Sequence, residues 1–392
     1  MDVELELEHR MLADLVRRFV EEELIPREPA VLRRESEGRG IALEGEDLAA
    51  VNARARELGL WGLDIPAEFG GAELPAVAMI GPFEAIGRTI VHYAIPPDSP
   101  NLHMLAAVAN EEQRRRYLEP HARGETISAI AISEPGAGSD PAAMTTRAVR
   151  DGGDWVLNGR KIWISKAAEA DFTIVMALTD QTKGARGGIS AFIVDRGTPG
   201  FHVSPPVPML GGRFTHEIAL EDCRIPARCL LGEEGKGFAP MQKRLSIRRL
   251  QMGAWCVGMA ERALEIMTGH AGQRSTFGSL LARRQAVQWW IADAATRIHA
   301  SRLMVYDAAR KVDRGQDVRT ELSMIKVFVP EMASEVVDHA MQTLGALGVS
   351  KEMPLHLMAA KLRWIRIGEG PSEIHRWVVA RGLLGEAASE RG

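Results

Sequence analysis

The period of hydrophobic positions changes twice along the chain. Near the start, Leu12, Leu15, Val16 and Phe19 recur at i, i+3, i+4 and i+7, which predicts a first amphipathic helix. Residues 47–58 and 102–118 have the same helical texture. Between them the turn Ile65-Pro66-Ala67-Glu68-Phe69-Gly70-Gly71 interrupts it, because Pro fixes φ and Gly permits positive φ. From about Glu125 to Gly232 the texture becomes short, β-branched and apolar, and residues 171–178, 189–194 and 217–225 read as strands. Trp155-Val156-Leu157 and Lys161-Ile162-Trp163-Ile164 flank Asn158-Gly159, a pair that predicts a type I′ hairpin. After Gly232-Glu233-Glu234-Gly235-Lys236-Gly237, long helical stretches return. Val336, Val337, Ala340, Met341 and Leu344 keep helical spacing until Gly345 and Gly348 stop it.

The expected fold class is therefore mostly α with an inserted β domain. A helical segment at 1–124 precedes a β domain at 125–235, and a helical bundle follows at 236–392. A length of 392 residues accommodates two or three such domains.

Composition changes this picture little. With 48 basic and 52 acidic side chains the formal net charge is -4, which argues against nucleic acid as a main partner. The run Arg114-Arg115-Arg116 reads as a solvated helix face. Cys223, Cys229 and Cys256 form no CxxC pair and read as free, mostly buried thiols in a reducing compartment. No apolar run reaches the ~18 residues of a membrane helix. The N-terminus MDVELELEHR resembles neither a signal nor a transit peptide, so the expectation is a folded start and a bacterial cytoplasmic protein, with no membrane partner.

Familiar chemical motifs are missing. The sequence has no GxGxxG after a strand, no GxxxxGK[ST], no GxSxG, no HExxH and no cluster with metal-ligand spacing, so no metal is expected. Two segments stand out instead. Ser133-Glu134-Pro135-Gly136-Ala137-Gly138-Ser139-Asp140 has small residues that let backbone N–H groups approach an anion or a flat ring; taken alone, a plain Pro-Gly turn is the commoner explanation. Ile367-Gly368-Glu369-Gly370-Pro371-Ser372-Glu373-Ile374-His375 places Glu369 on a Gly-flanked loop just before a helix start, where by itself it reads as a solvated cap. Helix proximity would lower its pKa and burial beside an apolar ligand would raise it. Alternation puts Trp163 and Ser165 on one strand face, where a core Trp is the ordinary reading.

Together these segments resemble the acyl-CoA dehydrogenase family over residues 58–382. Residues 60–71 are similar to its early "GL…P.E.GG" turn, and Glu111-Glu112-Gln113 through Tyr117-Leu118 to its "EEQ…YL" helix. AISEPGAGSD matches its flavin signature, Trp163-Ile164-Ser165 its Trp-Ile-Thr/Ser, and Arg274-Ser275-Thr276-Phe277-Gly278 with Gln285 its "RxxFGxxxxxxQ". Residues 342–348 resemble "QxxGGxG", with Ala346 for a usual Gly. Gly368-Glu369-Gly370-Pro371 stands where many members have "YEGT", and the EGPSE version resembles a bacterial subgroup.

The resemblance implies an N-terminal helical domain, a middle β-barrel-like domain and a C-terminal four-helix bundle holding FAD. It assigns Ile132, Ser133, Gly138, Ser139, Trp163, Ile164, Ser165, Ser372 and Glu373 to the cofactor. Arg274, Phe277, Gln285, Gln342 and Gly345 would reach a neighbouring subunit's FAD, implying a homodimer or homotetramer. Ser139, Arg249 and Gly370 would contact the acyl-CoA. Glu369 would take the α-proton as the β-hydride passes to flavin N5, giving the trans-2-enoyl-CoA. Some members carry the base on an earlier helix, but the matching position here is Arg248, which cannot serve as a base. Electron-transfer flavoprotein is the implied acceptor. The alternatives are a flavin oxidase or monooxygenase on the same fold, and a non-catalytic flavin-bearing relative associated with nucleic acid.

Overall fold

The computed structural model describes residues 5–98 and 100–385. Its first segment contains helices α1 (Leu7–Phe19), α2 (Glu28–Ser36), α3 (Gly45–Glu57), α4 (Ala76–Gly87), α5 (Pro100–Val108), α6 (Glu111–Gln113) and α7 (Glu119–Ala122). Val16 and Phe19, from the periodic face of α1, are buried. The helix expected over 102–118 is interrupted. α5 ends at Val108, and Asn110 opens the next helix with a capping box: its Oδ1 accepts from Gln113 N at 2.9 Å, and Gln113 Oε1 accepts from Asn110 N at 3.1 Å. The capping residues override the apolar periodicity there.

The middle segment is a nine-stranded sheet. Its strands are β1 (Ser128–Ala131), β2 (Arg147–Asp151), β3 (Asp154–Ile164), β4 (Phe172–Leu178), β5 (Ile189–Asp195), β6 (Phe201–Val203), β7 (Val207–Met209), β8 (Arg213–Pro226) and β9 (Leu230–Leu231). The order is β6-β8-β3-β2-β4-β5-β9, with β1 parallel to β4 and β7 beside β8. β4 is buried along its whole length because the sheet is covered on both faces. Phe172, Ile174 and Met176 face a core shared with α5, while Val175 and Ala177 face Trp155, Leu157 and Phe192.

The predicted turn at Asn158-Gly159 does not form. β3 runs straight through it, and the hairpin turns instead at Gly152-Gly153, pairing Asp151 with Asp154. The pair makes an irregularity within the strand. A Cβ on Gly159 would lie 2.6 Å from Thr146 Cα, so glycine here serves close strand approach, and Asn158 Nδ2 donates to Asp222 Oδ1 at 3.1 Å.

The last segment contains α8 (Phe238–Gln273), the short strands β10 (Ser275–Thr276) and β11 (Ser279–Leu280), then α9 (Gln285–Asp313), α10 (Arg319–Leu344), α11 (Leu355–Ile365) and α12 (Ser372–Leu384). Helices from both ends of the chain share one core, in which Val16, Ile80 and Phe83 meet Met252, Val257, Val305 and Val329. α4 and α8 approach backbone to backbone: a Cβ on Gly87 would lie 2.3 Å from Trp255 O, and one on Gly258 1.8 Å from Glu84 O. All three cysteines are buried and free. No described helix is long and apolar enough to cross a membrane.

The α4–α8 contact gives a test. Gly258→Ala should destabilise by about 1–3 kcal/mol in urea unfolding, because the added methyl must push α4 away. Gly269→Ala, in the same helix but with no atom within 4 Å of the added methyl, should be neutral or slightly stabilising.

Candidate active site

The segment after β1 is shaped by a buried ion pair. Glu134 and Ala137 bond each other's backbone at 2.9 and 3.1 Å, closing a tight turn over Pro135-Gly136. The Glu134 carboxylate accepts from Lys161 Nζ at 2.9 Å, from the Thr145 N–H and hydroxyl at 2.6 and 2.8 Å, and from Thr146 N at 3.0 Å. Burial pushes this carboxyl up, but Lys161 and the threonine donors outweigh it and hold it down at about 2. Lys161 Nζ also donates to Ile132 O at 3.1 Å, and Ile162 N donates to Ser133 O at 2.9 Å. Residues 132–134 thus lie against the end of β3, beside Trp163. Gly138 and Ser139 are exposed on the loop.

At that end of β3 the ladder with β8 slips between Lys161 and Ile164. Trp163 sits at φ +63° and is 52% exposed, an outward setting for a large aromatic ring. Ile164 is buried in the sheet's core and offers only its backbone; Ser165 beyond it is exposed. β3 itself ends at Ile164, so Ser165 belongs to the following turn. Exposed aromatic ring, neighbouring hydroxyls on Ser133 and Ser165 and an open small-residue loop form one surface.

Glu369 lies on the loop between α11 and α12 at φ +59°, a strained setting for a residue with a side chain. The loop is held by its carbonyls. Arg249 Nε donates to Glu369 O at 3.0 Å with His375 Nε2 3.3 Å from the same oxygen, and buried Lys326 donates to the carbonyls of Ile365 and Gly370. The Glu369 side chain accepts from Arg244 Nη1 at 2.9 Å. Burial raises its pKa, yet Arg244, Arg248 and Arg249 together bring it below the ordinary carboxyl value. Pro371 is the N-cap of α12; Ser372 behind it is buried and Glu373 is exposed.

Ion pairs tie the three segments together here. Asp98 accepts from Arg248 Nη2 at 2.5 Å and from Lys166 Nζ at 2.9 Å, linking the first helical segment to α8 and to the turn after Trp163. Arg244 Nε also donates to Asn101 Oδ1 at 3.0 Å. Arg274, Phe277, Gln285, Gln342 and Gly345 lie elsewhere. The 25 residues of α8 from Arg249 through Gln273 span roughly 37 Å at 1.5 Å per residue. Phe277 sits wholly exposed at φ +50° on the tip between β10 and β11, and Gln342 and Gly345 are exposed at the end of α10.

Sequence models of the acyl-CoA dehydrogenase N-terminal, middle and C-terminal domains match residues 6–125, 129–223 and 235–384. The chain belongs to the acyl-CoA dehydrogenase family. It is similar to (R)-benzylsuccinyl-CoA dehydrogenase of Thauera aromatica, 38% identical over 98% of this chain and 97% of that one. Butyryl-CoA dehydrogenase of Megasphaera elsdenii superposes with a TM-score of 0.88 at 29% identity, over 98% of this chain and 100% of that one. An FAD complex of PigA gives 0.89 at 29% identity, over 98% and 99%. The acyl-CoA dehydrogenase architecture explains the α–β–α order, and the protein is an oxidoreductase of this flavin-dependent family.

Several residues of this site were given no role from the sequence: Asp98, Glu134, Lys161, Arg244, Lys326 and His375. A signal existed for Arg244, which precedes Arg248 by four residues and shares its helix face. No comparable signal marks Lys326 or Asp98, which meet the loop only through tertiary contacts.

Glu134→Gln should destabilise by about 3–5 kcal/mol, since it leaves Lys161 buried without its anion. The folded carboxyl lies at about 2 against an ordinary 4.5, so its contribution is complete above pH 4.5 and is lost as pH falls towards 2. Urea midpoints of wild type and variant, far apart at pH 7, should converge on acidification through that window.

Proposed function

We propose that the chain binds FAD and an acyl-CoA and removes hydrogen from the α,β-bond, with Glu369 as base. The observation that carries this reading is an ionised carboxylate, fixed on a positive-φ loop between two glycines. A thioester α-proton is weakly acidic, so its removal requires a positioned base and a polarised carbonyl. Glu369 supplies both from one residue: its carboxylate takes the proton, and its N–H, which has no acceptor among the described residues, donates to the thioester oxygen. Arg249, His375 and Lys326 hold the loop carbonyls so that neither group swings away. When acyl-CoA enters, the Glu369 carboxylate turns from Arg244 towards Cα, and the salt bridge keeps it deprotonated until then.

The residues fit a flavin. Trp163 offers an exposed ring, Ser133 and Ser165 offer hydroxyls, and nothing crowds Gly136 or Gly138 within 4 Å. Ile132 and Ile164 line the same surface through their backbones. Bound FAD supplies the two-electron acceptor for the hydrogen leaving Cβ. In this reading Ser139 and Gly370 border the acyl-CoA, and Ser372 and Glu373 support the cofactor from the start of α12.

A homodimer, alone or paired into a tetramer, is part of this reading. Arg274, Phe277 and Gln285 lie beyond the end of α8 distant from Arg248, which supports their serving the FAD of a second copy, as Gln342 and Gly345 would. A phenyl ring wholly exposed at a hairpin tip is suited to such an interface. Electron-transfer flavoprotein is the proposed acceptor for the electrons.

Glu369→Gln should retain FAD but slow anaerobic bleaching of the flavin by acyl-CoA by ~10²–10⁴ or more. Stopped-flow absorbance checks this; bleaching at near wild-type rate would overturn the assignment of the base.

A further inference from the structure

Positive charge accumulates beside Glu369 without enough anions to balance it. Lys166, Arg213 and Lys361 cluster around His92 with Arg248 beside Arg213, and the nearby Asp98 carboxylate pairs with Lys166 and Arg248, leaving Arg213 and Lys361 outside those pairs. Among the described residues, Arg213 and Lys361 have no hydrogen-bond or ion-pair partner. Their contacts are with rings: the Arg213 guanidinium lies 4.6 Å from the Trp364 ring centre, and Lys361 Nζ 5.6 Å from that of Trp255. Arg248 lies 5.4 Å from the same Trp255 ring.

Both cations border the same pocket. It is small, about 10 Å³ in enclosed volume, and Arg213 and Lys361 line it with His92, Ile90 and Met358. Trp255, Arg248, Asp98 and Asp64 line a second pocket of similar size, with Phe83. Trp255, with Lys361 on its ring, stands between them. This region adjoins the base loop: a Cβ on Gly368 would lie 3.3 Å from the Trp364 ring that carries Arg213, and Arg248 acts directly on the Glu369 carboxyl.

Partly buried charges without counterions cost several kcal/mol each unless a ligand supplies the opposite charge. The effect on the groups themselves agrees with a missing anion. Burial, then the neighbouring Arg213, bring Lys361 down to about 8, and burial with Arg248 brings Arg213 down to about 10. The field of Arg213, together with burial, keeps His92 neutral.

We propose that Arg213 and Lys361, with Arg248 beside them, form a subsite for a second carboxylate on the acyl group, so that the substrate is the mono-CoA thioester of a dicarboxylic acid. The proposal rests on the acyl-CoA reading of the site. A guanidinium and an ammonium on the far side of Trp364 from the base loop suit a small anion carried by the acyl part. The phosphates of CoA lie a whole pantetheine arm from the thioester and are not placed to fill it. Trp255, Trp364 and Phe83 give the carbon skeleton apolar walls between the reacting bond and the distal carboxylate.

The test compares mono-CoA thioesters of four- to seven-carbon dicarboxylic acids, with and without an aryl substituent, against the same thioesters carrying a methyl ester in place of the free carboxylate. Initial rates and anaerobic flavin bleaching are measured on the FAD-loaded enzyme. The free carboxylate should be preferred by roughly 100-fold or more in kcat/KM, because the ester leaves buried donors unpaired. In Arg213→Gln and Lys361→Met that ratio should fall at least tenfold, chiefly through KM for the carboxylate-bearing substrate, and Arg213→Lys should restore part of it. Taking the ratio on one preparation cancels any loss of folded enzyme. Equal or better turnover of the esters would overturn the subsite while leaving the acyl-CoA reading intact. A preference insensitive to all three substitutions would overturn the assignment to these residues. If no thioester of either kind bleaches the flavin, the acyl-CoA reading falls and the subsite with it.

Discussion

A carboxylate kept ionised inside a protein must be surrounded by cations, and Glu369 obtains them from one stretch of α8. Arg244, Arg248 and Arg249 lie within two turns, and each acts on the Glu369 loop. Their other contacts fix the remaining segments. Arg248 binds Asp98, Asp98 binds Lys166 after the exposed Trp163, and Arg244 binds Asn101 at the start of α5. One network of ion pairs and hydrogen bonds thus joins the Glu369 loop, the helical segments and the turn after Trp163. Electrostatics of this kind are strong because the groups are shielded from water, and for the same reason each member is costly to leave unpaired.

Backbone strain concentrates in the same places. Of six described non-glycine residues with positive φ, Trp163, Lys166, Phe277 and Glu369 all fall in or beside segments proposed to meet cofactor, substrate or a second copy. Strained settings persist only where surrounding contacts over-determine them. At Glu369 those contacts are the three donors to the loop carbonyls from Arg249, His375 and Lys326. At Trp163 they are the Lys161–Glu134 pair and the slipped ladder, which leave the ring facing outward. The segments that carry these two points are connected by the Lys166–Asp98–Arg248 chain.

The excess of cations extends this logic from catalysis to selection. Arg244 and Asp98 use their opposite charges within the protein, whereas Arg213 and Lys361 are held only against aromatic rings. Ring faces attract cations without neutralising them, so an anion arriving from outside still meets full positive charge. The reacting bond and the source of discrimination would then lie on either side of Gly368, whose lack of a side chain lets Trp364 pack directly against the loop.

Much of this was legible in the sequence. Periodicity gave the α–β–α order, the Gly-flanked acid and the small-residue loop were visible as unusual, and Pro371 correctly marked the start of α12. These are local properties, set by φ preferences and by which face of an element is apolar. Three-dimensional packing decided what local pattern could not. Asn158-Gly159 has the chemistry of a hairpin turn, but Thr146 presses against Gly159 and the strand continues. Helix proximity and burial left the direction of the Glu369 pKa open; arginines more than a hundred residues away lowered it. Lys361 and Arg213 look like ordinary surface charges in the chain, and only folding brings them together without a counterion. Charge interactions depend on distance through space, which the sequence does not contain.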